Sequence, residues 1–369
     1  SWGRLGNNGI GNYDWQNVYS PANTSFGDAI QQGVWTTAIA NRDISWEKTD
    51  VVDLGLDVNL FGSLSLTFDY YNKLTHGILY RNPIPYVNGG LGAPMINSAK
   101  VRNRGFEFSA SYNKNFGDLG FAVSVNGAYN RNEIIDYKGD YLEINGATVW
   151  TEGQPIGKFY MREIDHIVQD KAEIDKLVSE GWTFSPSRPE PGDFLYKDLN
   201  NDKRIDDKDR VLKGQPLPLF TFGGSIAFSY KNFDLSALFS GVAGWDRYLS
   251  TGIFSLTNAD TERLFLKKFQ NQWSETNRNT NIPKLYASNE KNNQVSDYYL
   301  YDASFLRLKT LQLGYTLPKN LIPKVRIRAY CNLENYFTIT SYPGMDPEMN
   351  GDVGYPILKT VSLGVNIKF

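Results

Sequence analysis

The last ten residues, TVSLGVNIKF, put Val361, Leu363, Val365, Ile367 and Phe369 on one side of an extended chain, with Thr360, Ser362, Gly364, Asn366 and Lys368 on the other. This period-2 alternation recurs too often along the chain to be accidental. Val52, Leu54, Leu56, Val58 and Leu60 share a face opposite Asp53, Gly55, Asp57 and Asn59. After the turn in LFGSL, Leu64, Leu66, Phe68 and Tyr70 oppose Ser65, Thr67 and Asp69. Phe106, Phe108, Ala110 and Tyr112 follow, then Phe121, Val123, Val125 and Tyr129. Phe220, Phe222, Ile226, Phe228 and Tyr230 turn through YKNFD into Leu235, Ala237 and Phe239. The stretch SFLRLKTLQLGYTLP slips frame between Leu308 and Leu311, which predicts a β-bulge. Val325, Ile327, Ala329, Cys331 and Leu333 form the next apolar face, and the terminal decapeptide brings the expected strands to nine.

The connections alternate too. Those near 61, 116, 231 and 320 are short, while those at 73–100, 134–219, 246–300 and 340–357 are long. A transmembrane antiparallel up-and-down β-barrel has this pattern, with tiny turns at one end and long extracellular loops at the other. Strands of about 9–11 residues are enough to span when tilted. Alternation then means lipid outside and water inside. A soluble β-sandwich or propeller is the alternative, since its strands alternate as well.

Composition narrows the function classes. The formal net charge of −2 gives no electrostatic reason to expect nucleic acid. One cysteine, Cys331, and two distant histidines, His76 and His166, offer poor support for Cys–His chemistry. A run of about 18 apolar residues, which a membrane-spanning helix needs, does not occur. The chain opens on Ser1-Trp2-Gly3-Arg4, without a methionine or a signal pattern. Nine strands would be an odd count with two open edges, so the expectation is the C-terminal portion of a larger barrel. On that reading residues 1–45 are the remnant of an extracellular loop, and 46–369 are barrel with long loops.

Several segments carry a resemblance. DASFLRLKTLQLGYTLPK (302–319), NLENYFTITSYPGMDPE (332–348), KVRNRGFEFSASYN (100–113), FDLSALFSGVAG (233–244), WEKTDVVDLGLDVNLFGSLSLTFDYYNK (46–73) and EGQPIGKFY (152–160) occur in order over almost the whole chain. Together they resemble the C-terminal barrel of SusC/RagA-like TonB-dependent transporters. The resemblance implies a barrel of about 22 strands plugged by an N-terminal domain, of which these would be the last nine. It also implies an outer-membrane site, a SusD-like surface lipoprotein as lid, TonB-driven import, and an oligosaccharide or a peptide as cargo. The plug and the TonB-contacting segment match no residue here.

DLNNDKRIDDKD places oxygen ligands at Asp198, Asn200, Asp202, Asp206 and Asp209, with the Arg204 carbonyl between them. This spacing can wrap a loop around Ca²⁺, and the resemblance adds weight, because such relatives carry an Asp-x-Asn-Gly-Asp-Gly loop here. Two features depart from the pattern: Lys203 stands where the turn glycine would be, and the last ligand is Asp rather than Glu. A solvated acidic turn is the alternative.

Segment 170–182 reads as a short amphipathic helix with Ile174, Leu177 and Val178 on one face and Gly181 as its stop. Segment 258–273 reads as another, with Asp260 as N-cap and Leu264, Phe265, Phe269 and Trp273 inward. Either helix could dock the lid or pack its loop onto the rim. Trp150, Trp182, Trp245 and Tyr299 are candidates to stack on substrate, or else staples of their loops. Arg102 and Arg104, just before a strand, are candidates to line the lumen or the rim.

GGLGAP and GNNGIGN are not phosphate-binding loops, and Asp206, Asp207 and Asp209 lack a pocket that would separate their proton affinities. No enzyme is expected. The rival readings are a passive porin or surface adhesin, and a soluble carbohydrate-binding or glycan-cleaving β protein.

Overall fold

The computed structural model describes residues 1–82, 84, 85, 87, 91–137, 143–256, 266–286, 291–318, 320–322, 324–349 and 354–369. Ten strands form its main sheet: β1 (Trp2–Asn7), β2 (Glu47–Leu60), β3 (Leu64–Arg81), β4 (Met95–Phe116), β5 (Leu119–Tyr137), β6 (Phe220–Tyr230), β7 (Phe233–Ala243), β8 (Phe305–Thr316), β9 (Arg326–Thr340) and β10 (Thr360–Lys368). They lie side by side in chain order, and every pairing is antiparallel. Among the described residues, β1 pairs only with β2 and β10 only with β9, so both edges stay open.

The tight turns have the chemistry that such a meander needs. Phe61 and Gly62 sit between β2 and β3 with φ of 54° and 63°, and Ser63 donates its N–H to the Leu60 carbonyl. Two successive left-handed residues give the hairpin turn whose twist matches that of the strands. The expected bulge is also present. Lys309 falls between the paired residues Leu308 and Thr310, and the register shifts on both of its flanks.

The strand count is ten rather than nine. Trp2–Asn7 pairs along β2, Arg4 facing Asp50, within the stretch where a loop is expected. WGRLGN is too short and too glycine-rich for alternation to register. Tyr19–Phe26 and Ala29–Thr36 form a separate exposed hairpin, so residues 1–45 hold strands as well as connections. The strands are also longer than expected: β3, β4 and β5 run 18, 22 and 19 residues, which shortens the connection expected at 73–100 to 82–94.

Each face has its own composition. Leu54, Tyr70, Phe106, Tyr129 and Phe220 are cross-strand partners in one outward row. Phe106 stacks on Tyr129 at 5.4 Å between ring centroids, and Phe68 on Phe106 at 6.2 Å. Below them lie Leu56, Phe68 and Phe108, then Val58, Leu66 and Val125. Leu54 is 63% exposed and Leu363 82%. An apolar surface of this extent is not a face that water covers. The inward face carries Asp53, Asp57, Asp69, Glu107, Asn126 and Ser225.

The buried core lies elsewhere, in the long connections. Ile167, Phe194, Tyr196, Ile205, Leu256, Phe269, Trp273 and Tyr299 form one cluster, built from both the 134–219 and the 246–300 connections. Leu249, Phe254, Ala303 and Tyr342 form a second, and Val168, Ile174 and Leu195 a third. The helix expected at 170–182 is α1 (Lys171–Ser179), and Gly181 follows it with φ of 89°. Ile174 is buried and Leu177 packs beside it, whereas Val178 is 41% exposed. The helix expected at 258–273 falls largely outside the described residues, Asp260, Leu264 and Phe265 included; its end is a single 3₁₀ turn, Lys267–Asn271, with Phe269 and Trp273 buried.

Candidate functional site

Two surfaces carry polar chemistry: the inner wall of the sheet, and the lobe that the long connections build above it. On the wall, Thr67, Asp69, Glu107, Ser109, Asn126 and Thr221 line a cavity of about 440 Å³. Asp69 stands directly opposite Glu107 across the β3–β4 pair. Facing carboxylates repel, so the pair favours cationic or hydrogen-bond-donating neighbours. Asp57 accepts from the Thr67 hydroxyl at 2.8 Å, and the Tyr71 hydroxyl donates to the Asn130 side-chain oxygen at 3.0 Å. Toward the tight turns, Arg328 forks onto Asp234 and also reaches Gln312. Strand period 2 makes this wall, because it sends every second side chain to the same side.

The lobe is held by polar ties between distant segments. A four-stranded sheet runs Arg210–Lys213, Lys158–Arg162, Thr148–Trp150, Glu143–Asn145. Lys213 donates to Glu163 at 2.7 Å and to Asp297 at 2.8 Å, joining the two long connections. Burial opposes the Lys213 charge, yet these two carboxylates leave its pKa above the ordinary lysine value. Hydrogen bonds from Lys213 and Lys197 hold Glu163 below the ordinary carboxylate range. Arg162, 2% exposed, donates to the Ser185 carbonyl at 2.7 Å and to Asp207 at 3.1 Å, with its guanidinium over the Tyr196 ring. A buried guanidinium needs such partners. Asn292 does the same for the backbone: its amide donates to Asp193 at 3.0 Å, and its oxygen accepts the Phe194 N–H at 2.9 Å.

A second cavity, of about 500 Å³, opens on the lobe surface beside Asp165, His166, Glu173 and Trp182. His166 hydrogen-bonds Asp165 through Nδ1 and Glu173 through Nε2. Partial burial disfavours its charge, but the two carboxylates outweigh that and raise its pKa above the ordinary imidazole value.

The aromatics singled out from sequence are engaged within the lobe and its base. Trp150 lies against Tyr80 and Tyr137, at 6.1 and 6.3 Å between centroids. Trp182 packs on the largest cluster, and Tyr299 is fully buried in it, its hydroxyl donating to the Asn292 carbonyl and its neighbour Asn293. Trp245 packs on the second cluster, donates to the Pro216 carbonyl at 3.2 Å and lies under Arg247. Arg102 and Arg104 are on the outward side, not the lumen: they share parity with Phe106 and Phe108 on a strand whose register there is unbroken.

The 198–209 loop turns its carboxylates on its own backbone. Asp198 accepts the N–H groups of Asp202 and Lys203, Asn200 that of Asp202, and Asp202 that of Arg204. Asp206 accepts from Lys208, while buried Asp209 accepts from Leu199 and Asp206 at 2.9 and 2.8 Å, completing a capping box. Lys203 takes φ of 62°, the left-handed conformation that a glycine would adopt more easily. Among the described residues, no group of three or more His, Cys, Asp or Glu side chains is gathered to hold a metal.

The wall carboxylates Asp57, Asp69 and Glu107 were not singled out as site residues in the sequence. Their signal was their position as polar partners in alternating strands, which gives the face but not the neighbour.

With this geometry in place, comparison with known proteins is informative. Residues 6–335 match the family described as TonB dependent receptor-like, beta-barrel. TonB-dependent receptor P3 of Formosa agariphila is 33% identical over 399 residues, covering 100% of this chain and 39% of that protein. TonB-dependent receptor SusC of Bacteroides thetaiotaomicron is 28% identical over 391 residues, covering 100% of this chain and 37% of its own length. The solved RagAB peptide transporter superposes with a TM-score of 0.78 at 28% identity, over 99% of this chain and 40% of that one. The chain thus spans about two fifths of the length of the relatives it matches.

Proposed function

The chain belongs to the TonB dependent receptor-like β-barrel family, and on that premise we propose that it forms part of the wall of an outer-membrane importer for a bulky nutrient. The observation that carries this reading is the division of one sheet into an exposed apolar face and a polar, carboxylate-bearing face. Lipid suits the first face and a water-filled passage the second. The wall orients and hydrates cargo while the lobe holds the outer loops in one arrangement. The energised steps, the plug and the contact with TonB, we assign to no residue of this chain. A SusD-like lipoprotein is the lid that the resemblance implies, and the lobe is the surface it would meet.

For cargo, one observation favours peptide over the oligosaccharide expected from the resemblance. Three of the four aromatics suited to stacking on sugar rings, Trp150, Trp245 and Tyr299, are engaged in packing, and Trp182 both packs and borders the lobe cavity, while the wall offers carboxylates and amides that accept from peptide N–H and ammonium groups. The similar RagAB protein is itself a peptide transporter, which supports the same preference. For the 198–209 loop, we read a capped turn rather than a calcium site.

The test uses the protein purified from its native membrane. It should require detergent for extraction and run as a compact species on a gel until heated. Release into aqueous buffer without detergent would return the soluble β protein. Binding of defined peptides and of oligosaccharides to the purified complex then decides the cargo, and saturable binding of sugars alone would reverse our preference. Co-purification of a lipoprotein lid with wild type tests the partner, and a protein that permeabilises vesicles with no lid and no TonB dependence is the passive porin.

A further inference from the structure

Past the row of Leu54, Tyr70, Phe106 and Tyr129, the outward face changes character within one step along the strands. The next row sets Arg104 directly opposite Arg131, and the row after it sets Arg102 opposite Glu133. Like charges facing each other across a strand pair repel. Glu133 answers part of this charge, 3.8 Å from Arg104. Among the described residues, no side-chain hydrogen bond or ion pair reaches Arg102 or Arg131, and the Arg102 Nε is buried without an acceptor. Arg4, nearer the sheet edge, is already taken up by Asp50 at 2.6 Å.

We infer that Arg102, Arg104 and Arg131 form a binding site for the phosphate-bearing headgroup of an anionic lipid, in the leaflet on the long-loop side. The inference rests on the membrane reading above. Guanidinium groups take phosphate through paired N–H donors, and three of them gathered with one carboxylate leave charge for an anion to neutralise. The source is a lipid rather than free phosphate because the cluster continues the apolar band row by row. An acyl chain lying against Tyr70, Phe106 and Tyr129 brings its headgroup to Arg104 and Arg131.

The test reconstitutes the full-length protein into nanodiscs with a phosphate-bearing anionic lipid, or with its dephosphorylated counterpart carrying the same acyl chains. Native mass spectrometry after extraction counts the lipids that stay bound. Wild type is expected to retain the phosphorylated lipid at least about tenfold better, the scale set by basic groups at a charged membrane surface. The triple variant Arg102→Gln, Arg104→Gln, Arg131→Gln should lose that preference, while Arg278→Gln in the lobe should keep it. Equal retention of the two lipids by wild type overturns the inference, whatever the variants do. Displacement of the lipid by millimolar inorganic phosphate overturns the lipid as its source. Failure to enter nanodiscs of either kind overturns the membrane reading and this inference with it; entry without lipid preference overturns the inference alone.

Discussion

The lobe and the sheet handle apolar side chains in opposite ways. In the lobe, Phe194, Phe269, Trp273 and Tyr299 are buried on one another, as in a water-soluble domain. In the sheet, Leu54, Leu56, Phe337 and Leu363 are left uncovered, and few strand residues are buried at all. The lobe carries its own solvent-free interior; on the membrane reading proposed above, the sheet would borrow one from lipid. The same kind of residue should therefore respond differently to substitution in the two regions.

The largest contrast is expected from truncating a lobe aromatic. Phe194→Ala should destabilise the lobe by about 3–5 kcal/mol. Hydrogen exchange should quicken across 158–213 while the heat-modifiable behaviour of the barrel is unchanged. If sheet and lobe loosened together, they would be one cooperative unit and the comparison would break. Leu56→Arg should do the reverse, costing about 2–4 kcal/mol in the membrane-inserted protein without speeding lobe exchange. On the same membrane reading Leu56→Ala should cost far less than Phe194→Ala, because lipid would fill the space that a protein core cannot.

A smaller effect comes from Asp209→Asn. Replacing one of the two carboxylate oxygens removes a cap from the Leu199 or Asp206 N–H, at about 1–2 kcal/mol confined to the lobe. Added Ca²⁺ should leave wild-type exchange at 198–209 unaltered, and protection on addition would restore the cation reading. The smallest effect is with pH. The His166 pKa is raised, so its contribution is fully present below the ordinary imidazole value of about 6.5 and is lost as pH rises through the raised one. The Glu163 pKa is lowered, so its contribution is present above the ordinary value of about 4.3 and is lost as pH falls through the lowered one. Both side chains are partly exposed, which keeps the steps shallow. Lobe exchange followed from about pH 3 to 9 should be slowest between these limits, and Glu173→Gln should weaken the step on the alkaline side. An exchange profile flat in pH would show that these ion pairs hold nothing.

What could be read from the sequence follows the same division. Strand faces were legible because alternation is local, and the slip at Lys309 showed as a broken frame. The edge strand Trp2–Asn7 was not, since six residues with two glycines carry little pattern. The lobe was the hardest to see. Its contacts join residues far apart in the chain: the Trp273 indole to Gln169 across 104 positions, and Asn292 to Asp193 across 99. No spacing rule foretells such pairs. For the same reason the tryptophans could be named as notable but not assigned, and Arg102 and Arg104 needed the register of β4 on β5 to be placed on the outer face.

The largest core cluster has a consequence for inheritance. Half of its side chains come from one connection and half from another, with the strands β6 and β7 encoded between them. A recombination event that replaced only the first connection would bring in half an interior and leave the resident half without its match. The two loops should therefore diversify as a linked pair, changing in step across relatives, while the short turns at the opposite end are free to vary one at a time.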